Sequence, residues 1–135
     1  MAIIEWKDEY SVGIQSIDQQ HKIWVGLINK LHDAMKKGEG KKALADIYKE
    51  IVDYTKTHLK NEEALFDKFS YTDTAAHKLI HSKLTQQVIE KQKDIEEGKT
   101  VITMDVMNFL KSWLLDHIQN TDKKYSAFLI SKGVK

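Results

Sequence analysis

From Leu44 to Phe69 one helical stripe recurs every three or four residues: Leu44, Ile47, Ile51, Tyr54, His58, Glu62, Leu65 and Phe69. Each residue of an α-helix advances by about 100°, so positions at this spacing share one face. A stripe that long needs other helices to cover it. His58 and Glu62 occupy positions where the pattern asks for apolar residues, and burying polar groups bare is costly. The stripe therefore constrains the chain twice. It demands packing partners, and those partners must satisfy an imidazole and a carboxylate one turn apart.

The remaining sequence supplies such partners. His21, Val25, Ile28, Leu31, His32 and Met35 form a stripe over about 19–37, ending before Gly38 and Gly40. Asp18 or Ser16 is the expected cap of that helix, and Gly26 within it suggests a close helix contact. The central helix is expected over about 41–66. The break Ser70-Tyr71-Thr72-Asp73 leads to a third helix over about 74–96, with His77, Ile80, His81, Leu84, Val88 and Ile95 inward and Gly98 closing it. A fourth, about 103–131, carries Val106, Phe109, Leu110, Trp113, Leu114, His117 and Ile118, then Tyr125, Phe128 and Leu129. Proline, the strongest helix breaker, is absent. Residues 1–17 lack a helical period but hold Trp6, Tyr10, Val12, Ile14 and Ile17, and read as an extended arm bent at Gly13. Short connections make neighbours antiparallel. The expectation is an all-α chain: one domain over 1–135, an antiparallel up-down-up-down four-helix bundle with an extended N-terminal arm.

Charge and cysteine content narrow the chemistry. Lys+Arg is 21 and Asp+Glu is 20, so no excess attracts nucleic acid or acidic membranes. Without cysteine there are no disulfides, thiolate metal sites or thiol nucleophiles. No stretch approaches the ~20 apolar residues that span a bilayer, and no basic leader precedes an apolar run. The sequence reads as soluble and cytoplasmic, with no membrane insertion. No exposed apolar stripe demands an oligomer, so a monomer is expected.

Five of the six histidines fall on core faces: His21, His58, His77, His81 and His117. In an antiparallel bundle the first helix's start, the second's end, the third's start and a late position of the fourth lie at one level. His21, His58 with Glu62, His77 with His81, and His117 occupy those positions. Asp122 is five residues beyond His117, about 140° away on a regular helix, and joins them only if the helix widens locally to an i→i+5 turn. Five imidazoles and two carboxylates are too many donors for one tetrahedral zinc. Two six-coordinate metals fit better: five histidines, two bridging carboxylates and one bridging oxygen leave a single open position. His32 lies about 16 Å along the axis from His21 and reads as structural. Glu63 and Asp116 read as surface charges, and Trp6, Tyr10, Trp113 and Tyr125 as packing, with the Tyr125 hydroxyl one turn beyond Asp122.

His21, His58-x-x-x-Glu62, His77-x-x-x-His81 and His117-x-x-x-x-Asp122, in this order, resemble the hemerythrin family over nearly the whole chain. The leader with Trp6, Tyr10 and Ile17-Asp18-x-x-His21 is similar to its bacterial branch. The resemblance implies two iron ions bridged by an oxo or hydroxo group and by Glu62 and Asp122. His77, His81 and His117 would hold one iron, and His21 and His58 the other, where O2 would bind reversibly. It implies an O2 carrier or store rather than an enzyme, with an O2-consuming enzyme as the partner receiving O2. O2 or redox sensing, a di-iron oxidase, or NO or peroxide removal are the alternatives. Leu114, Trp113, Leu59 and Trp24 are the expected walls of the O2 pocket. The histidine-rich donor set favours binding over the oxidation chemistry of carboxylate-rich di-iron sites, and no general base remains for hydrolysis once the seven ligands are spent.

Overall fold

The computed structural model describes residues 3–99 and 101–135. Among them there are helices and no strands: α1 (Gln15–Lys36), α2 (Lys41–Phe69), α3 (Thr74–Glu96), α4 (Met104–Asp116) and α5 (Lys123–Ser131). A π-helical segment, His117–Asp122, joins α4 to α5. The last two helices thus form one rod, and the architecture is an all-α four-helix bundle. α1 packs on α2 and α4, and α2 on α3. The Trp113 indole, which donates to the Leu84 carbonyl at 3.1 Å, ties α4 to α3.

The apolar stripes build two clusters. The larger fills the bundle with Trp24, Ile28, Leu31, Tyr48, Ile51, Val88, Met107, Leu110 and Leu114. The smaller, with Val12, Ile14, Ile17, Phe66, Tyr71, Tyr125 and Leu129, closes one end. His21 lies between Ile17 and Trp24 on α1, and Glu62 lies between Leu59 and Phe66 on α2. The polar stripe residues therefore fall where the two clusters meet.

α1 starts at Gln15, four residues before the sequence-expected 19. Ile14, not Ser16 or Asp18, is its N-cap, with no side-chain cap bond. The reason is that Ile14 and Ile17 extend the buried stripe one turn upstream, while Asp18 is occupied elsewhere. Its carboxylate accepts the Val12 amide at 2.8 Å and the Ser11 hydroxyl at 2.5 Å. The arm is thus not uniformly extended: it contains a 3-10 turn at Asp8–Tyr10. It bends at Gly13 (φ +76°), where a side chain would meet Ile130 at 3.2 Å. Asn29 holds the Ile4 backbone through both its N–H (3.0 Å) and its C=O (2.9 Å). Gly26 makes no close helix contact; it is exposed, with nothing within 4 Å of where a Cβ would stand. α2 runs three residues past the expected 66. It ends at Ser70 in the left-handed conformation (φ 55°), with the Tyr71 amide returning to the Phe66 carbonyl at 2.9 Å.

Candidate metal centre

The seven residues singled out by spacing converge at the junction of the two clusters. None is more than 3 % exposed. His58 and Glu62, one turn apart on α2, approach at 3.5 Å. His81 Nε2 is 3.3 Å from Glu62 Oε1, and His21 Nε2 is 3.8 Å from Glu62 Oε2. Asp122 sits against three imidazoles: His117 at 2.9 Å, His21 at 3.0 Å and His77 at 3.5 Å. The widening between His117 and Asp122 is present as the π segment. It turns a spacing that would point Asp122 away from the cluster into one that points it inward.

The donor atoms form two overlapping groups. Those of Glu62, His77, His81, His117 and Asp122 all lie within 4.8 Å of one another, and so do those of His21, His58, Glu62 and Asp122. The carboxylates belong to both groups; three imidazoles belong to one and two to the other. Despite the short separations, the Nε2 atoms of all five histidines, Glu62 Oε1 and both Asp122 oxygens make no hydrogen bond. Lone pairs that converge without pairing are what a cation requires and what a hydrogen-bonded core avoids. The donors therefore fit metal binding.

The outward-facing nitrogens explain the inward aim. His58 Nδ1–H donates to Gln20 Oε1 at 2.7 Å, and His81 Nδ1–H to Glu63 Oε2 at 3.0 Å. Each bond places the proton on Nδ1 and leaves the Nε2 lone pair for the centre. The Tyr54 hydroxyl anchors the Gln20 backbone carbonyl at 2.9 Å, and its ring stacks parallel to His58. The Tyr125 hydroxyl donates to Glu62 Oε2. Glu63, expected as a surface charge, instead has a side chain 27 % exposed and bound to a centre histidine. Sequence reasoning had no signal for it, since its partner lies on another helix. Gln20 was likewise missed, although its place beside His21 puts it at the right level.

Electrostatics match this arrangement. Burial works to raise the Asp122 carboxyl, but His117 and His21 overcome it and hold it well below the usual carboxylate range. Glu62 is also held below its ordinary value: burial and Asp122 push upward, and His58 and His81 outweigh them. Burial lowers the His58 pKa to about 4, so this imidazole stays neutral. His21 is raised because Asp122 outweighs its burial, and His81 because Glu62 does so. A cation entering the cluster would displace those protons.

Trp24, Leu59, Trp113 and Leu114 are all buried in the larger cluster. Trp24 stands 5.1 Å from His58 and meets Trp113 edge-to-face at 5.3 Å. A groove of about 630 Å³ between α2 and α3 reaches Glu63 and His81. Another of about 510 Å³ between α3 and α4 reaches Trp113 and His117. His32 is buried but belongs to neither donor group, and Asp116 is exposed.

Comparison with known proteins agrees with the geometry. The hemerythrin HHE cation-binding domain model matches residues 12–129. The chain is 39 % identical to a bacteriohemerythrin of Pseudomonas aeruginosa over 125 residues, covering 93 % of this chain and 80 % of that protein. It is 33 % identical to a bacteriohemerythrin of Methylococcus capsulatus over 96 % of this chain and 98 % of the other. A wild-type hemerythrin crystal structure superposes with a TM-score of 0.86 at 32 % identity, covering 93 % of this chain and 97 % of that one. With the domain matched over most of its length and the histidine–carboxylate cluster buried at its centre, the chain belongs to the hemerythrin family.

Proposed function

We propose that this chain binds O2 reversibly at a pair of irons, as a carrier or store and not as an enzyme. His77, His81 and His117 would hold one iron, His21 and His58 the other, with Glu62 and Asp122 spanning both and an oxo or hydroxo group completing the bridge. The observation that carries this reading is the pair of overlapping donor groups, three-histidine and two-histidine, that share both carboxylates. Equal six-coordinate demand then leaves the unfilled position on the two-histidine side. When bound, the irons supply the electrons that O2 needs and recover them on release.

The chain's own residues favour reversibility. Five neutral donors against two carboxylates stabilise high-valent iron less than a carboxylate-rich site does. Trp24, Leu59, Trp113 and Leu114 keep the surroundings apolar, which hinders proton delivery to a bound ligand. Outside the donor set, Tyr125 donates to Glu62 of the two-histidine group, and burial pushes its hydroxyl well above the usual phenol range, so it offers no general base for hydrolysis. The O2-consuming partner, monomeric state and cytoplasmic location belong to the same reading; no described helix is long and apolar enough to cross a membrane.

The test is anaerobic loading with ferrous iron, metal analysis, then admission and removal of O2 under a visible spectrum. Two irons per chain and a charge-transfer band that disappears under vacuum are expected. Irreversible turnover with loss of a co-substrate would support an oxidase instead, and failure to retain iron would overturn the assignment.

A further inference from the structure

Trp24 carries the one indole N–H of the centre's surroundings that the fold leaves without a partner. The side chain is fully buried, and its Nε1 makes no hydrogen bond. Trp113, packed against it at 5.3 Å, faces the same requirement and meets it by donating to the Leu84 carbonyl at 3.1 Å. A buried Trp normally finds a partner for this group, and a leucine or phenylalanine would fill the space without creating the need. Besides Trp113, the aromatic rings around Trp24 are those of centre residues: its ring lies 5.1 Å from His58, 6.3 Å from His21 and 6.2 Å from His117. His58, the nearest of the three, belongs to the two-histidine group. Neither groove that reaches the three-histidine side is lined by Trp24, His21 or His58.

We propose that the Trp24 indole N–H is a hydrogen-bond donor to a small ligand held at the two-histidine side of the centre, favouring ligands that carry or gain negative charge there. This rests on the di-iron reading above. It assigns Trp24 a task that a wall residue does not have: selecting anions over neutral molecules of equal size. A hydrogen bond from a buried donor to a charged acceptor is among the stronger ones, because little water competes for it.

Sodium azide is a suitable probe. The iron-loaded protein, oxidised to the diferric state, is titrated with azide while the visible band is followed in wild type, Trp24→Phe and Trp6→Phe. Trp6 lies on the N-terminal arm, and its replacement controls for the general loss of an indole. Trp24→Phe is expected to bind azide at least about tenfold more weakly, with Trp6→Phe unchanged. In wild type, the ultraviolet resonance Raman mode that reports indole N–H bonding should shift when azide is added. This measurement stands if Trp24→Phe fails to fold or to hold iron. Equal azide affinity in wild type and Trp24→Phe, or no indole shift in wild type that binds azide, overturns the donor role and leaves the di-iron reading intact. A wild-type chain that retains no iron overturns both.

Discussion

At the scale of single residues, the centre's two sides differ in what stands behind their histidines. His81 is backed by the Glu63 carboxylate and His58 by the neutral Gln20 amide. An anionic partner makes the imidazole a stronger donor, so His81 should bind its iron more firmly than His58 does. Glu63→Ala is expected to lower iron affinity about 10- to 100-fold, read as faster loss to a chelator. Glu63→Gln keeps an acceptor and should fall between. Wild-type retention in Glu63→Ala would show that the bond only decorates the groove. The seven clustered donor residues themselves were legible, because polar groups on an apolar period and a common bundle level are both sequence properties. Their backing was not. Gln20 and Glu63 act on helices other than their own, and no spacing rule links positions 18 or 38 residues apart.

The element that decides the carboxylate geometry is the π segment. Five steps of a regular helix turn about 500°, carrying Asp122 away from His117; four turn about 400° and nearly realign them. A π turn behaves as one extra residue inserted in an α-helix, so removing one residue restores regular winding without rotating the helix beyond it. Deleting Gln119 should therefore leave α5, with Tyr125 and Leu129, docked on the smaller cluster. Helical content by circular dichroism should be retained, and the metal-free form should be no less stable, since regular i→i+4 hydrogen bonds replace those of the π turn. Iron retention should persist, because the aspartate, then four regular steps from His117, keeps its inward aim. Loss of folding would mean that the segment is structural, and loss of iron from a folded variant would mean that the π turn does more than correct Asp122's phase. The i→i+5 requirement came from one residue count. The early start of α1 did not, because Ile14 and Ile17 read equally well as an arm or as a helical turn until Asp18 is seen holding Ser11 and Val12.

For the whole molecule, the centre is a stability problem that a bound metal would solve. Seven buried polar side chains interrupt the core where its clusters meet, and most of their inward atoms lack hydrogen bonds. A ligand present at a thousandfold its dissociation constant stabilises the folded state by about 4 kcal/mol. For a chain of 135 residues this corresponds to a melting shift of roughly 10 °C or more. Calorimetry before and after chelation is expected to show a drop of that order, restored by ferrous iron under anaerobic conditions. An unchanged midpoint would mean that the seven residues satisfy one another without metal. The bundle itself was readable from stripes and connections, since short links impose antiparallel packing. The smaller cluster's clasp on the arm, where Ser126 donates to the Val12 carbonyl and Lys123 to that of Glu9, pairs residues 114 apart and left no local trace.

The clasp also orders events during synthesis. Four of the seven donors, His58, Glu62, His77 and His81, lie on the α2–α3 hairpin and emerge together from the ribosome. His21 emerges earlier, but Asp122 and the α5 surface that fastens the arm emerge after the hairpin. Until then the growing chain has one of its two shared carboxylates and an arm not yet clasped at Glu9 and Val12. Metal caught early would sit in a half-built, water-exposed cage, which the π segment completes and α5 shuts.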